Sequence, residues 1–137
     1  MTLNEYQEKA MSTCLPTSDN FSYMMLNLVG EVGEFSSKVA KGIRKGECEI
    51  GSLDHQPKKR EIKNELFFNT KLDEFMVQNN ELMKEAGDIL WQLSGLCEVM
   101  GWELEDVAKM NLDKLQCRKK EGTIDGNGDG VTKAERL

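Results

Sequence analysis

The chain has 137 residues, with 24 acidic and 18 basic side chains for a net charge of -6, and 39% of its residues are apolar. That length supports one domain removing about two-thirds of its unfolded surface from water, and the acidic balance excludes general attraction to nucleic acid or to an anionic membrane, basic runs such as Lys58-Lys59-Arg60 being short. No stretch approaches the roughly 18 apolar residues of a membrane span, and Met1-Thr-Leu-Asn-Glu-Tyr lacks the basic start and apolar run of a signal peptide, so a cytoplasmic protein is expected.

Asn4 to Thr13 reads as a short first helix, stopped at Leu15-Pro16 because the residue before a proline is pushed out of the helical region. Thr17-Ser18-Asp19-Asn20 offers N-cap side chains for a long second helix, expected from about Phe21 to Arg44. Its apolar residues Phe21, Met24, Leu28, Val32, Phe35 and Val39 recur at the helical period, and Gly42 and Gly46 mark its end. The pattern then breaks. Gly51 to Pro57 has loop composition, while Lys58 to Val77 is expected to hold one or two helices around Ile62, Leu66, Phe67, Leu72 and Phe75, with its aromatics against the bundle or a second subunit.

Asn79-Asn80 is a second cap cluster, ahead of a third long helix. In it Leu82, Ala86, Ile89, Leu93, Leu96 and Met100 form a packing seam of alternating four- and three-residue steps, closed by Gly101. Trp102-Glu103 leads into a fourth helix through about Lys119, with Leu104, Val107, Ala108, Leu112 and Leu115 turned inward. Strand-like alternation and internal repeats are missing from the pattern. The expected fold is therefore all-α: four main helices in a single domain over 1–137, with an insertion at about 48–78 and a flexible tail at about 122–137. In that tail Asp125-Gly-Asn127-Gly-Asp129-Gly130 has the opening of an EF-hand calcium loop, but its twelfth position is Arg136 and no helix is expected to follow, so no calcium site is expected there.

Two pairs of carboxylates carry the chemistry: Glu31-Val-Gly-Glu34 in the second helix and Glu85-Ala-Gly-Asp88 in the third. An i,i+3 spacing puts both acids of a pair on one face, with Cβ atoms roughly 5–6 Å apart, so two such helices packed together would converge four carboxylates. Acids more commonly lie on a solvated face. Here, however, Leu28, Val32 and Phe35 flank the first pair, and Leu82, Ile89 and Leu90 the second. Charge beside a core stripe is costly unless compensated, and Mg²⁺ suits an oxygen-only ligand set shared with substrate phosphates. His55, the only histidine, is far from both pairs, which removes the Glu-x-x-His motif of a di-iron bundle. Cys14, Cys48, Cys97 and Cys117 form no C-x-x-C and read as reduced thiols.

Two further stripes extend the acids. Asn27, Glu31, Glu34, Lys38 and Lys41 share one face of the second helix, and Asn111, Lys114 and Arg118 one face of the fourth. Acids that bind a metal, flanked by amide and cationic donors, meet the needs of a polyphosphate. Taken singly, each of these cations also suits an ordinary solvated face, and Lys114 and Arg118 suit a helix C-terminus.

Glu31-x-x-Glu34, Glu85-x-x-Asp88, Asp88-Ile-Leu-Trp91 and Asn111-x-x-Lys114-Leu-x-x-Arg118, in that order, resemble the MazG-like all-α nucleoside triphosphate pyrophosphohydrolases, which include the dimeric dUTPases and the dCTP pyrophosphatases. Asn4-Glu5-Tyr6-Gln7 and Gly122-Thr-Ile124 are also similar to phage and bacterial members, so the resemblance covers nearly the whole chain apart from the insertion. It implies that Glu31, Glu34, Glu85 and Asp88 hold Mg²⁺, with Mn²⁺ as a possible substitute, and that Lys114 and Arg118 approach the triphosphate beside Asn111. Asn27, Lys38, Lys41 and Trp91 join the substrate-binding set, and Glu31 or Glu34 positions the attacking water.

Two departures from the family pattern stand out. The 50 residues between Glu34 and Glu85 form a longer connection than usual, and Gln92 stands where many members have a tyrosine. The expected function is Mg²⁺-dependent conversion of a nucleoside triphosphate to the monophosphate and pyrophosphate, in pool cleansing or phage or bacterial nucleotide metabolism, by a homodimer or homotetramer. The competing readings are a non-catalytic helical binding or assembly module and a phosphoribosyl-ATP pyrophosphohydrolase.

Overall fold

The computed structural model describes residues 1–46, 48–50, 66–68 and 72–124, with side chains described for 1–46 and 79–124. Helix α1 spans Leu3–Met11 and opens on a reciprocal cap: the Glu5 N–H donates to Thr2 Oγ1 (3.1 Å) and the Thr2 N–H to Glu5 Oε2 (2.7 Å). A 3-10 turn at Pro16–Ser18 takes up the predicted cap cluster, and α2 runs over Phe21–Arg44 as the periodicity predicts. Gly46 ends it with φ 71°, a left-handed conformation that glycine adopts without a Cβ clash, whereas Gly42 lies inside the helix.

Two elements in the insertion differ from expectation. Cys48–Ile50 (β1) pairs antiparallel with Leu66–Phe68 (β2), in the register Cys48 with Phe68, Glu49 with Phe67 and Ile50 with Leu66. A helix was expected around Leu66 and Phe67; aromatic and branched side chains suit a paired strand as well, and a three-residue run is too short for periodicity to choose. Helix α3 spans Leu72–Met100, so Leu72, Phe75 and the Asn79-Asn80 cluster are inside it. Asparagine costs a helix interior less than about 0.7 kcal/mol, which neighbouring turns without glycine or proline absorb. Helix α4 covers Leu104–Glu121 and closes on Gly122 at φ 69°. The fold is all-α, with this one short strand pair among the described residues. His55, the calcium-like tail and the side chains of Cys48, Phe67, Phe68 and Phe75 lie outside what is described. No helix among the described residues is long and apolar enough to cross a membrane.

Contacts divide the chain into two compact units, one made of Met1–Phe21 with the chain from Ser94, the other of Ser22–Leu93. In the first, the side chains of α1 cap α4. Gln7 Oε1 accepts from the Leu104 N–H (2.6 Å) and Asn4 Oδ1 from the Glu105 N–H (3.2 Å), satisfying amides that a helix start leaves without an internal partner. Gln7 Nε2 donates in turn to Glu98 Oε2 and to the Trp102 carbonyl, both at 3.0 Å. Ala10, Cys97 and Leu104 are buried around this knot, and Cys97 is a free thiol.

The predicted apolar seams are only partly the buried ones. On α3, Met100 is 42% exposed while Glu85 and Gln92 are 7% and 2% exposed. On α2, Met24 is fully buried but Phe21 and Val32 are exposed, and on α4 Leu112 and Leu115 are exposed where Leu104 is buried. These helices carry apolar side chains on more than one face, so periodicity alone does not say which face meets a neighbour.

Candidate active site

All four motif acids belong to the unit Ser22–Leu93, Glu31 and Glu34 on α2 and Glu85 and Asp88 on α3. Single carboxylate oxygens of Glu31, Glu34 and Glu85 lie within 4.8 Å of one another. Glu85 is buried, Glu31 half-buried, and Glu34 and Asp88 exposed. Burial pushes the Glu31 carboxyl above its ordinary range, and the charges of Glu34, then Asp88, and least Glu85 push it further; the N–H of Asn27, donating to Glu31 Oε1 at 3.1 Å, pulls the other way. Asp88 is thus close enough to act on Glu31 through its field, although it is not in the tight set of three.

Lys38 completes the constellation. Its Nζ is 2.5 Å from Glu85 Oε1 and 3.5 Å from Glu81 Oε2, and Lys84 Nζ is 2.7 Å from Glu81 Oε1. The bond to Glu85, ahead of the Glu81 contact, raises the Lys38 pKa, while Glu81 is lowered first by Lys84 and then by Lys38. Glu81 was missed in the sequence, although its i,i+4 spacing from Glu85 put it within sight. Because Lys38 meets Glu81 and Glu85 while the earlier Glu31 feels the later Asp88, α2 and α3 run antiparallel here.

The donor set fits a hard divalent cation. It is all carboxylate oxygen, and Glu85 Oε2 is buried without a hydrogen-bond partner, an orphaned acceptor of the kind a cation satisfies. Ligands at about 2.1 Å from Mg²⁺ are about 3.0 Å apart when adjacent and about 4.2 Å apart when opposite, so oxygens within 4.8 Å of one another come to a common cation by drawing together through side-chain rotation.

The other predicted site residues divide. Asn27 and Lys38 touch the acids directly, as described, whereas Lys41 is exposed and takes no part in these contacts. Trp91 is half-buried on α3. Asn111, exposed, and Lys114 and Arg118, half-buried, are on α4 in the other unit, and Arg118 Nε is buried without a partner.

The profile of the MazG nucleotide pyrophosphohydrolase domain matches residues 19–123, a span holding both acid pairs and the Asn111, Lys114 and Arg118 stripe. The chain belongs to the MazG family. The MazG match begins after α1, so the Asn4 and Gln7 cap on α4 is outside it. Among curated proteins the chain is similar to the Gene 37 protein of Mycobacterium phage L5, 31% identical over 113 residues, which are 81% of this chain and 76% of that protein. No solved structure gives a significant match.

Proposed function

We propose that the chain hydrolyses a nucleoside triphosphate to the monophosphate and pyrophosphate, using Mg²⁺, or Mn²⁺ in its place, held by Glu31, Glu34, Glu85 and Asp88. The observation that carries this reading is the meeting of Glu31, Glu34 and Glu85 oxygens within 4.8 Å of one another, in a chain of the MazG family. When bound, the cation supplies Lewis-acid polarisation of a phosphate oxygen and acidifies water.

The protein's own groups supply the rest. Glu31 takes the base's part: Asn27 donates to its Oε1 and holds the carboxylate, leaving Oε2 to accept a proton from the attacking water. Glu34, on the same face, is the other carboxylate able to orient that water. Oxygen from water bonds to the α-phosphorus as the bridging bond to the β-phosphorus breaks, and pyrophosphate carries away the electron pair. Lys38 and Lys41 on α2, and Asn111, Lys114 and Arg118 on α4, are assigned to the substrate by the motif pattern, with the partnerless Arg118 Nε in keeping with a phosphate contact.

The same reading places the protein in the cytoplasm, acting on the nucleotide pool. It also makes it a homodimer or homotetramer, because α2 leaves Leu26 75% and Val29 70% exposed on a helix that already buries another face. The deciding experiment incubates purified protein with a panel of ribo- and deoxyribonucleotides and Mg²⁺ or Mn²⁺, follows the products by ³¹P NMR, and locates ¹⁸O from labelled water. Monophosphate carrying the label, together with pyrophosphate, is expected, and Glu85→Gln should abolish turnover with helical circular dichroism unchanged. Nucleoside diphosphate with orthophosphate would overturn the assignment, and no cleavage at all would leave a non-catalytic helical module.

A further inference from the structure

Glu81 is an acid that neither the motif pattern nor the proposed hydrolysis uses, yet it shares a lysine with the buried acid of the cation site. Lys38 Nζ on α2 meets two carboxylates of α3: it is 2.5 Å from Glu85 Oε1 and 3.5 Å from Glu81 Oε2. The two contacts are unequal. A charge-assisted hydrogen bond runs at about 2.7–2.9 Å, so the ammonium is seated on Glu85 and only leans toward Glu81, whose other oxygen already takes Lys84 Nζ at 2.7 Å. Burial gives the reason: the Glu85 side chain is 9% exposed against 45% for Glu81, and an unpaired charge costs most where water is excluded.

A cation reverses that order. Oxygens of Glu31, Glu34 and Glu85 lie within 4.8 Å of one another, and Glu85 Oε2 is buried with no hydrogen-bond partner. A divalent ion held there neutralises the same carboxylate that seats Lys38, and it repels the ammonium as a like charge. Glu81 is outside that set of three and keeps its charge. The move asked of Lys38 is small, because bringing 3.5 Å down to an ordinary charge-assisted contact takes less than about 1 Å on a half-exposed side chain.

We propose that Glu81 is the second seat of Lys38: binding of a divalent cation shifts the ammonium from Glu85 to Glu81, which clears the metal ligand and holds the lysine beside the site for a phosphate oxygen. An ammonium carries three N–H donors, so the bond to Glu81 leaves two for substrate. The proposal rests on the cation-site reading above and deepens it. Glu81 is thereby a positioning residue, acting through Lys38 and touching neither cation nor substrate.

The test is a double-mutant cycle read on cation affinity rather than on turnover. Mn²⁺ binding to the nucleotide-free protein is measured by calorimetry for the wild type, Lys38→Met, Glu81→Gln and the double variant, with circular dichroism to show that each keeps its helices. Removing a nearby carboxylate weakens cation binding through its field alone, and the Lys38→Met background measures that part. With Lys38 present, Glu81→Gln should weaken Mn²⁺ binding about threefold more than it does in Lys38→Met, the scale of a part-exposed ion pair, because the displaced ammonium loses its second seat. A crystal structure of the Mn²⁺-bound protein should place Lys38 Nζ about 2.8 Å from a Glu81 oxygen and away from Glu85 Oε1. Equal effects of Glu81→Gln in the two backgrounds, or Lys38 still on Glu85 with Mn²⁺ bound, overturn the proposal and leave the cation site standing. A wild type that binds no Mn²⁺ removes the cation site and this proposal together. The expected Mn²⁺ results without hydrolysis of any nucleotide uphold the role of Glu81 and remove the hydrolase reading alone.

Discussion

Lys38 Nζ is 2.5 Å from Glu85 Oε1, while the second oxygen of that carboxylate is buried and partnerless. One ammonium thus neutralises half of a buried acid in the middle of a proposed cation site, which makes Lys38 and a divalent cation alternative counter-charges for the same group. Replacing Lys38 with methionine should lower the thermal midpoint of the metal-free protein, because Glu85 loses its only charged neighbour of opposite sign among the described residues. The same variant should gain more than the wild type on addition of Mn²⁺. Differential scanning calorimetry with and without Mn²⁺ checks both; an equal gain in the two proteins would show that Lys38 and the cation do not share Glu85.

Glu31 behaves oppositely. Its pKa is raised by burial and by Glu34, Asp88 and Glu85, so its ionised form opposes folding in the metal-free protein. The sign follows from linkage: a carboxyl whose folded pKa exceeds its unfolded one adds a penalty that is present above the folded pKa and relieved as pH falls through it. Glu31→Gln should therefore stabilise the metal-free protein near neutral pH, by up to about 1 kcal/mol. That advantage should shrink as pH falls from neutral toward the ordinary carboxylate range and the wild-type carboxyl, its pKa raised, takes up its proton. Stabilisation by Mn²⁺ should meanwhile be lost. Chemical denaturation across that pH range, with and without the cation, measures all three.

On α4, alanine at Lys114 or at Arg118 should lower kcat/KM for a triphosphate by about tenfold or more, the scale of a charge-assisted phosphate contact, and leave Mn²⁺ affinity of the substrate-free protein unchanged. Steady-state kinetics beside Mn²⁺ titration separates the two quantities. Normal kinetics in both variants would return these cations to the solvated face that their spacing also allows.

Gln7 provides a stability test far from the acids. It is 7% exposed and bonds to the Leu104 N–H, Glu98 Oε2 and the Trp102 carbonyl. Gln7→Leu leaves the buried Leu104 N–H without its partner and should cost about 1–3 kcal/mol. Urea unfolding at unchanged Mn²⁺ affinity is the expected pattern, and a variant as stable as the wild type would mean that water replaces the amide.

The acid pairs, the helix from Phe21 to Arg44 and the all-α class were legible in the chain because each depends on neighbours within two turns: i,i+3 spacing, the 3.6-residue period, and glycine where φ turns positive. The start of α3 was less so, since Asn79-Asn80 is good cap chemistry that neighbouring helical turns override. The pairing of Cys48–Ile50 with Leu66–Phe68 joins segments whose local composition does not announce a sheet.

Burial and partnership are another matter, because they depend on which faces meet across long separations. Nothing in the spacing of α3 distinguishes Glu85 and Gln92, both buried, from Ala86 and Met100, which are exposed on what reads as the apolar seam. Nor does spacing predict that Lys38 would pair with Glu85, 47 positions away, or that Gln7 would cap a helix that begins 97 positions later. The sequence by itself determined which side chains could share a helix face, a property of one turn and the next. Only the tertiary structure decided which face is removed from water, and so which acid is held by a lysine and which carboxylate oxygen is left without a donor.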